Sequence, residues 1–165
     1  LSFSRPSAAA GEEVTLQHLI EQAVALLSPE AERAGVQLNC NIDGDVILPG
    51  SLSAAVTEIL SNLILNGIQA TPSGGRVAVS GAVAQDAPPA VLKITITDEG
   101  AGISVELRER IFEPFFTTKQ RGTGLGLTII KRRLTEIGGT IDIESPVSHG
   151  HGTRMTITAP LYGNR

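Results

Sequence analysis

The sequence is poor in aromatic residues, in cysteine and in runs of positive charge. It has no Trp, one Tyr and four Phe among 165 residues. A single cysteine, Cys40, excludes an internal disulfide, and no Cys/His spacing resembles a zinc site. Cys40 reads as a small residue packed in a strand, in keeping with a reducing, cytoplasmic setting. No stretch approaches the ~18 apolar residues of a membrane span, and no signal peptide is visible. The chain is therefore expected to make no direct membrane contact. Net charge is −4, with no basic tract, so a nucleic-acid footprint is not expected. The one basic cluster, Lys131-Arg132-Arg133, reads as a solvated helix face. With 41% apolar and 18% charged residues, the composition suits one folded domain with one core. The chain opens at Leu1 without Met and is read as a piece of a longer protein, whose parent could be membrane-anchored.

Hydrophobic spacing gives the organisation. Residues 1–11 read as a linker, broken by Arg5-Pro6-Ser7. A domain over 12–165 follows. Leu16, Leu19, Ile20, Ala23, Val24 and Leu27 recur at helical spacing and predict a helix from Glu12 to Ala34. Pro29 lies inside that pattern, and Ser28-Pro29-Glu30 could instead cap a second helical turn. Val36–Ile42 alternates as a strand, and Val46–Leu48 is a short extended piece. Ser51 is an expected N-cap for a long helix to Ala70. Two strands, Arg76–Val83 and Val91–Thr97, form a hairpin. A short helix is expected over Val105–Phe112 and a longer one over Leu125–Ile137, stopped by Gly138-Gly139. Thr140–Glu144 and Arg154–Ala159 close a second hairpin. About five strands and three main helices imply an α+β fold. The expected form is a two-layer α/β sandwich, with a mixed, mostly antiparallel sheet and the helices on one face.

Four patterns carry chemistry. On the second helix, Glu58, Asn62 and Asn66 are spaced i, i+4, i+8 and share one face. Two Asn in an apolar helix need partners. Their carbonyl oxygens suit a hard cation such as Mg²⁺, and an internally hydrogen-bonded polar pair accounts for them equally well. Next, the strand ending at Thr97 runs into Asp98-Glu99-Gly100-Ala101-Gly102-Ile103. Here an acid at a strand end meets backbone that a ligand can approach closely. A carboxylate can accept from an exocyclic amine such as that of adenine, and a plain Asp-Gly turn is the simpler reading of this motif alone. Third, Gly122-Thr123-Gly124-Leu125-Gly126-Leu127 opens a helix, where backbone N–H groups favour phosphate. It matches neither the dinucleotide fingerprint nor the P-loop. Fourth, three of the four Phe fall at Phe112, Phe115 and Phe116. They lie in Phe112-Glu113-Pro114-Phe115-Phe116-Thr117-Thr118-Lys119, inside a loop of roughly 20 residues, a length that is often functional. They could anchor a mobile lid or form a small satellite core, and Lys119 could reach a phosphate.

In order and spacing these patterns resemble the N, G1, F and G2 boxes of sensor histidine kinases, within the Bergerat ATP-binding fold shared with DNA gyrase B, MutL and heat-shock 90 chaperones. The resemblance spans nearly the whole chain, and its lid motif is similar to that of the nitrogen- and oxygen-responsive kinases. It implies a catalytic domain that uses ATP and Mg²⁺ to phosphorylate a histidine. Asp98 would bind the adenine amine, with Gly100, Gly102, Ile103 and Thr153 around the base. Asn66 would be the chief Mg²⁺ ligand, with Asn62 beside it. Phe112, Phe116, Thr118 and Lys119 would belong to the lid, and Gly122, Thr123, Gly124, Leu125, Gly126 and Leu127 to the phosphate cradle. Glu58, Asn62 and Lys119 would be closest to the transfer chemistry.

None of the three histidines, His18, His149 and His151, sits in the phosphoacceptor pattern of that family. The resemblance therefore implies two partners: the histidine-containing dimerisation domain of the same kinase and the receiver domain of a response regulator. The parent would be a homodimer and this piece a monomer. Two departures stand out. Gly67 replaces a common Ala, and Ile137-Gly138-Gly139 lacks a common His. Neither is expected to touch a ligand group. Related ATPases carry a water-activating glutamate at the position that Asn62 occupies, so ATP hydrolysis by this chain should be slow or negligible. A steady-state rate equal to that of a dedicated ATPase would contradict this expectation.

Overall fold

The computed structural model describes residues 13–44, 46–85, 88–114 and 126–161. Strand β1 (Val14–Thr15) leads directly into helix α1 (Leu16–Ala34). Strands β2 (Gln37–Asp43) and β3 (Ile47–Leu48) precede helix α2 (Gly50–Ala70). The hairpin strands β4 (Arg76–Ala84) and β5 (Ala90–Asp98) come next, followed by the one-turn helix α3 (Val105–Arg108). Helix α4 (Gly126–Ile137) and strands β6 (Thr140–Glu144) and β7 (Thr153–Leu161) complete the order.

The main sheet runs β2-β4-β5-β7-β6. Only β2 and β4 are parallel, joined through α2, and the other three pairs are antiparallel. Alternation along the strands sends Val77, Val79, Leu92, Ile94, Ile96, Ile157 and Ala159 to one face, where α1, α2 and α4 cover them. The opposite face carries Ser80, Lys93, Thr95, Thr156 and Thr158, none of them buried. The expected two-layer α+β sandwich is thus observed, with five strands and three main helices.

Local differences have local causes. Thr15 caps α1 by accepting from the His18 backbone N–H (3.1 Å), so the helix starts four residues later than the spacing predicts. The residues just before it pair with β3, and Leu16 N–H donates to the Val46 carbonyl (2.8 Å). Pro29 does not split α1. Ser28 Oγ donates to the Val24 carbonyl (2.8 Å) in the turn that the proline disturbs, and the helix runs through. Ser51 is not a cap. Pro49, with φ −58°, leads straight into a helix that begins at Gly50. Helix α3 stops at Arg108 and gives way to hydrogen-bonded turns as far as Pro114. Cys40 lies on the edge strand β2 and is exposed rather than packed, because no further strand covers that side. Partial desolvation, and then the Glu21 carboxylate, push its thiol pKa up.

Helix α2 has the length and hydropathy of a membrane span, which the sequence reading did not credit. Leu52, Val56, Ile59, Leu60, Leu63, Ile64 and Ile68 account for that: they are buried against α1, α4 and the sheet. Burying one such side chain contributes about 1.5–3 kcal/mol, so this helix dominates the core. Ile94, fully buried opposite Ile157, is the centre of the sheet's inner face. Ile94→Ala should lower the unfolding free energy by about 2–5 kcal/mol, read from urea denaturation at unchanged m. An unchanged midpoint would contradict that placement.

Candidate nucleotide site

The inner row of β5 is Leu92, Ile94, Ile96 and then Asp98. The same alternation that buries the three aliphatic residues puts the carboxylate between the layers, where the strand ends. Thr153 stands opposite Asp98 in register on β7 and is buried. Asp98 Oδ1 accepts from the Gly100 backbone N–H (2.8 Å), which turns the chain sharply after the strand. Gly100 runs against the end of α2. A Cβ there would lie 2.7 Å from the Ala70 carbonyl oxygen and 2.9 Å from the Ala70 Cβ, so only glycine fits. Gly102 has φ +89°, a left-handed conformation that side chains rarely adopt.

One buried hydroxyl ties this turn down. Ser145 Oγ accepts from the Ile103 N–H (2.7 Å), donates to the Gly152 carbonyl (2.9 Å) and lies 3.2 Å from Thr153 Oγ1. The Gly152 N–H donates to the Gly100 carbonyl (2.8 Å), making a second tie between the same loops. Sequence reading missed Ser145. The available signal was a lone Ser between an alternating strand and Pro146. On the other side, Thr71 Oγ1 donates to the Gly67 carbonyl (2.8 Å) and accepts from the Glu99 N–H (3.3 Å). Glu99 Oε1 in turn accepts from the Arg76 N–H (2.7 Å). The acid after Asp98 therefore supports the turn.

Glu58, Asn62 and Asn66 are half-buried along one side of α2, as predicted. Asn62 Nδ2 donates to the Glu58 carbonyl (3.0 Å), so the side chain presents its carbonyl oxygen outward. Gly67 joins this row to the acid. It is buried, and a Cβ there would meet the two Val77 methyl groups at 3.3 Å and the Asp98 Cβ at 3.6 Å. A side chain at this position would thus press on Val77 and come within ordinary contact distance of the Asp98 Cβ.

Helix α4 lies across α2. Arg133 Nε donates to Glu58 Oε2 at 2.6 Å, and Arg133 Nη1 donates to Glu136 Oε2 at 3.0 Å. The bond to Glu58, then that to Glu136, raises the Arg133 pKa above its ordinary value. Arg133 is thus not the freely solvated residue that its basic cluster predicted. Phe112, half-buried, is attached to the same helix. Thr128 Oγ1 donates to its carbonyl (3.1 Å), and Lys131 Nζ lies 5.3 Å from its ring centroid. Leu127 packs against the core. Gly126 is the first residue of α4. Phe115, Phe116, Thr118, Lys119, Gly122, Thr123, Gly124 and Leu125 lie outside the described residues, as does the expected linker.

Among the described residues, no group of three or more His, Cys, Asp or Glu side chains could hold a metal ion. The amide oxygens of Asn62 and Asn66, with waters and oxygens of a ligand, are a donor set that suits a hard cation such as Mg²⁺.

Residues 52–163 match the family described as histidine kinase-, DNA gyrase B- and HSP90-like ATPases, and the chain belongs to that family. It is 31% identical over 161 residues to the signal transduction histidine-protein kinase AtoS of Escherichia coli K12, covering 98% of this chain and 26% of that protein. It is 33% identical to sporulation kinase D of Bacillus subtilis, covering 98% of this chain and 31% of that one. The chain thus spans about a quarter to a third of the length of these curated relatives. Among solved structures, the catalytic domain of histidine kinase ThkA superimposes with a TM-score of 0.75 at 28% identity, covering 91% of this chain and 96% of that one. Full-length ShkA in complex with AMPPNP gives a TM-score of 0.75 at 25% identity, covering 98% of this chain and 34% of that one.

Ser145→Ala should leave the part-buried Ile103 N–H without its acceptor. An unpaired buried donor costs about 1–3 kcal/mol, so both stability and nucleotide affinity should fall. Equal affinity in the variant would show that Ile103 finds another acceptor.

Proposed function

We propose that the chain is a catalytic domain, over residues 12–165, that binds Mg-ATP and passes the γ-phosphoryl group to a histidine on a separate dimerisation domain. That phosphohistidine would then supply the receiver domain of a response regulator. The observation that carries this reading is the pair of half-buried Asp98 and buried Thr153, set in a glycine-lined turn beside the Asn face of α2. A carboxylate that ends an apolar row serves no packing purpose, but it suits an amine at the edge of a flat apolar base. Adenine offers both features.

In this reading Asp98 accepts from the exocyclic amine, and the wall formed by Gly102, Ser145 and Thr153 holds the base edge. Asn62 and Asn66 offer amide oxygens to the metal. The metal, when bound, neutralises charge on the phosphate oxygens. The N-terminus of α4, from Gly126, favours the same phosphates through its backbone dipoles. Lys119 and the phenylalanines of the lid would close over them. The acceptor imidazole nitrogen attacks the γ-phosphorus, the bond to the bridging oxygen breaks, and ADP leaves. The chain's part is alignment and charge compensation, as is general for phosphoryl transfer. The named relatives are kinases whose longer chains have room for an acceptor domain, which supports the assignment of partners. We further infer a cytoplasmic setting, a monomeric piece and a homodimeric parent. The family also contains nucleotide-driven ATPases, and Asn62 in place of an acid argues against that second reading.

The test is calorimetry with a non-hydrolysable ATP analogue, with and without Mg²⁺, on the wild type and Asp98→Asn. Binding should respond to Mg²⁺. Asp98→Asn should weaken it roughly 10–100-fold, the worth of one hydrogen bond to a charged group. Absence of binding under all conditions would overturn the reading.

A further inference from the structure

Helix α2 carries one charged side chain in its 21 residues, and that side chain is Glu58. Its carboxylate accepts from Arg133 of α4 at 2.6 Å, and Arg133 is steadied from its own helix by Glu136 at 3.0 Å. Among the described residues this is the only ion pair that joins two helices; the others lie within α1, within α4, in the turn after α3 or between β6 and β7. A guanidinium is always protonated and fits a carboxylate in a fixed geometry.

We propose that Arg133 and Glu58 form a positioning clamp, which holds the lid-bearing helix α4 at a set place relative to the Asn62–Asn66 face of α2. This inference rests on the nucleotide reading above and deepens it. Glu58 then acts through Arg133 as a positioning residue, in place of the catalytic role that the resemblance implied. The geometry supports it from both ends. Along α2, Glu58 precedes Asn62 and Asn66 by four and eight residues, roughly 6 and 12 Å of helix. Along α4, Gly126 lies seven residues before Arg133, roughly 10 Å away, where phosphates would meet the helix start. Phe112, at the near end of the lid, is fastened to α4 by Thr128 and Lys131. In the nucleotide reading only phosphates and metal need α4 and α2 together. Adenine is held elsewhere, by the loops tied through Ser145.

The experiment measures affinity of the full chain for a Mg²⁺-loaded non-hydrolysable ATP analogue and, separately, for adenosine, which lacks phosphates. The variants are Arg133→Ala, Glu58→Gln and the exchange Glu58→Arg with Arg133→Glu. Half-exposed ion pairs add little to stability, so the thermal midpoints should hardly move. Each single variant should lose roughly fivefold or more in affinity for the Mg-triphosphate. Adenosine affinity should stay within about twofold, and the charge exchange should recover most of the loss. Single variants that bind the Mg-triphosphate like the wild type would overturn the clamp while leaving the nucleotide reading intact. Equal losses for both ligands, with no recovery on exchange, would also overturn it, by pointing to a general structural role. A wild type that binds neither ligand would remove the nucleotide reading and the clamp with it.

Discussion

An acid at the inner end of an apolar row is the constraint on which the site depends. Leu92, Ile94 and Ile96 need the interior, and the period of a strand leaves Asp98 no other side. A carboxylate there is costly unless it is hydrogen-bonded. The turn after it meets that need with the Gly100 N–H. That turn is possible only because Gly100 can press on Ala70 and Gly102 can take a positive φ. Loss of either glycine would open the turn and leave the acid without its fixed donor.

The same turn is fastened from two sides by unlike means. On the β7 side, one buried serine and one backbone bond join it to the loop before Thr153. On the α2 side, Thr71 and Glu99 hold it to the helix end. Polar ties of this kind contribute modestly to stability when made and cost more when broken. Their effect is chiefly to fix geometry, whereas the aliphatic contacts of α2 supply most of the stability. The core can therefore be weakened without reshaping the site, and the site can be disturbed without unfolding the core.

The strands and long helices were legible in the sequence because their apolar periods are strong. Asp98, the glycines after it and the Asn face of α2 were legible because each breaks a local rule. What was not legible depends on the third dimension. The start of α1 lay hidden because no Pro or Gly separates Val14 and Thr15 from the helix, yet they pair with β3. Ser145 gave little signal alone, since its partners lie 42, 7 and 8 residues away. Arg133 sat in a basic triplet whose neighbours are solvated, and its partner is 75 residues earlier. Gly67 looked neutral until its closeness to Val77 and Asp98 was visible.

The layout divides recognition between two groups of elements. The ends of β5 and β7 and their loops hold the polar pair suited to a base. The facing sides of α2 and α4 hold the amides and the helix start suited to phosphates. Gly67 stands at the join, one residue from Asn66 and against Asp98. A methyl group there would meet both methyls of Val77 at 3.3 Å, so either Val77 or α2 would have to give by a few tenths of an ångström. Glycine permits this seating of α2 on the sheet without either adjustment, at the point where the Asn row meets the acid.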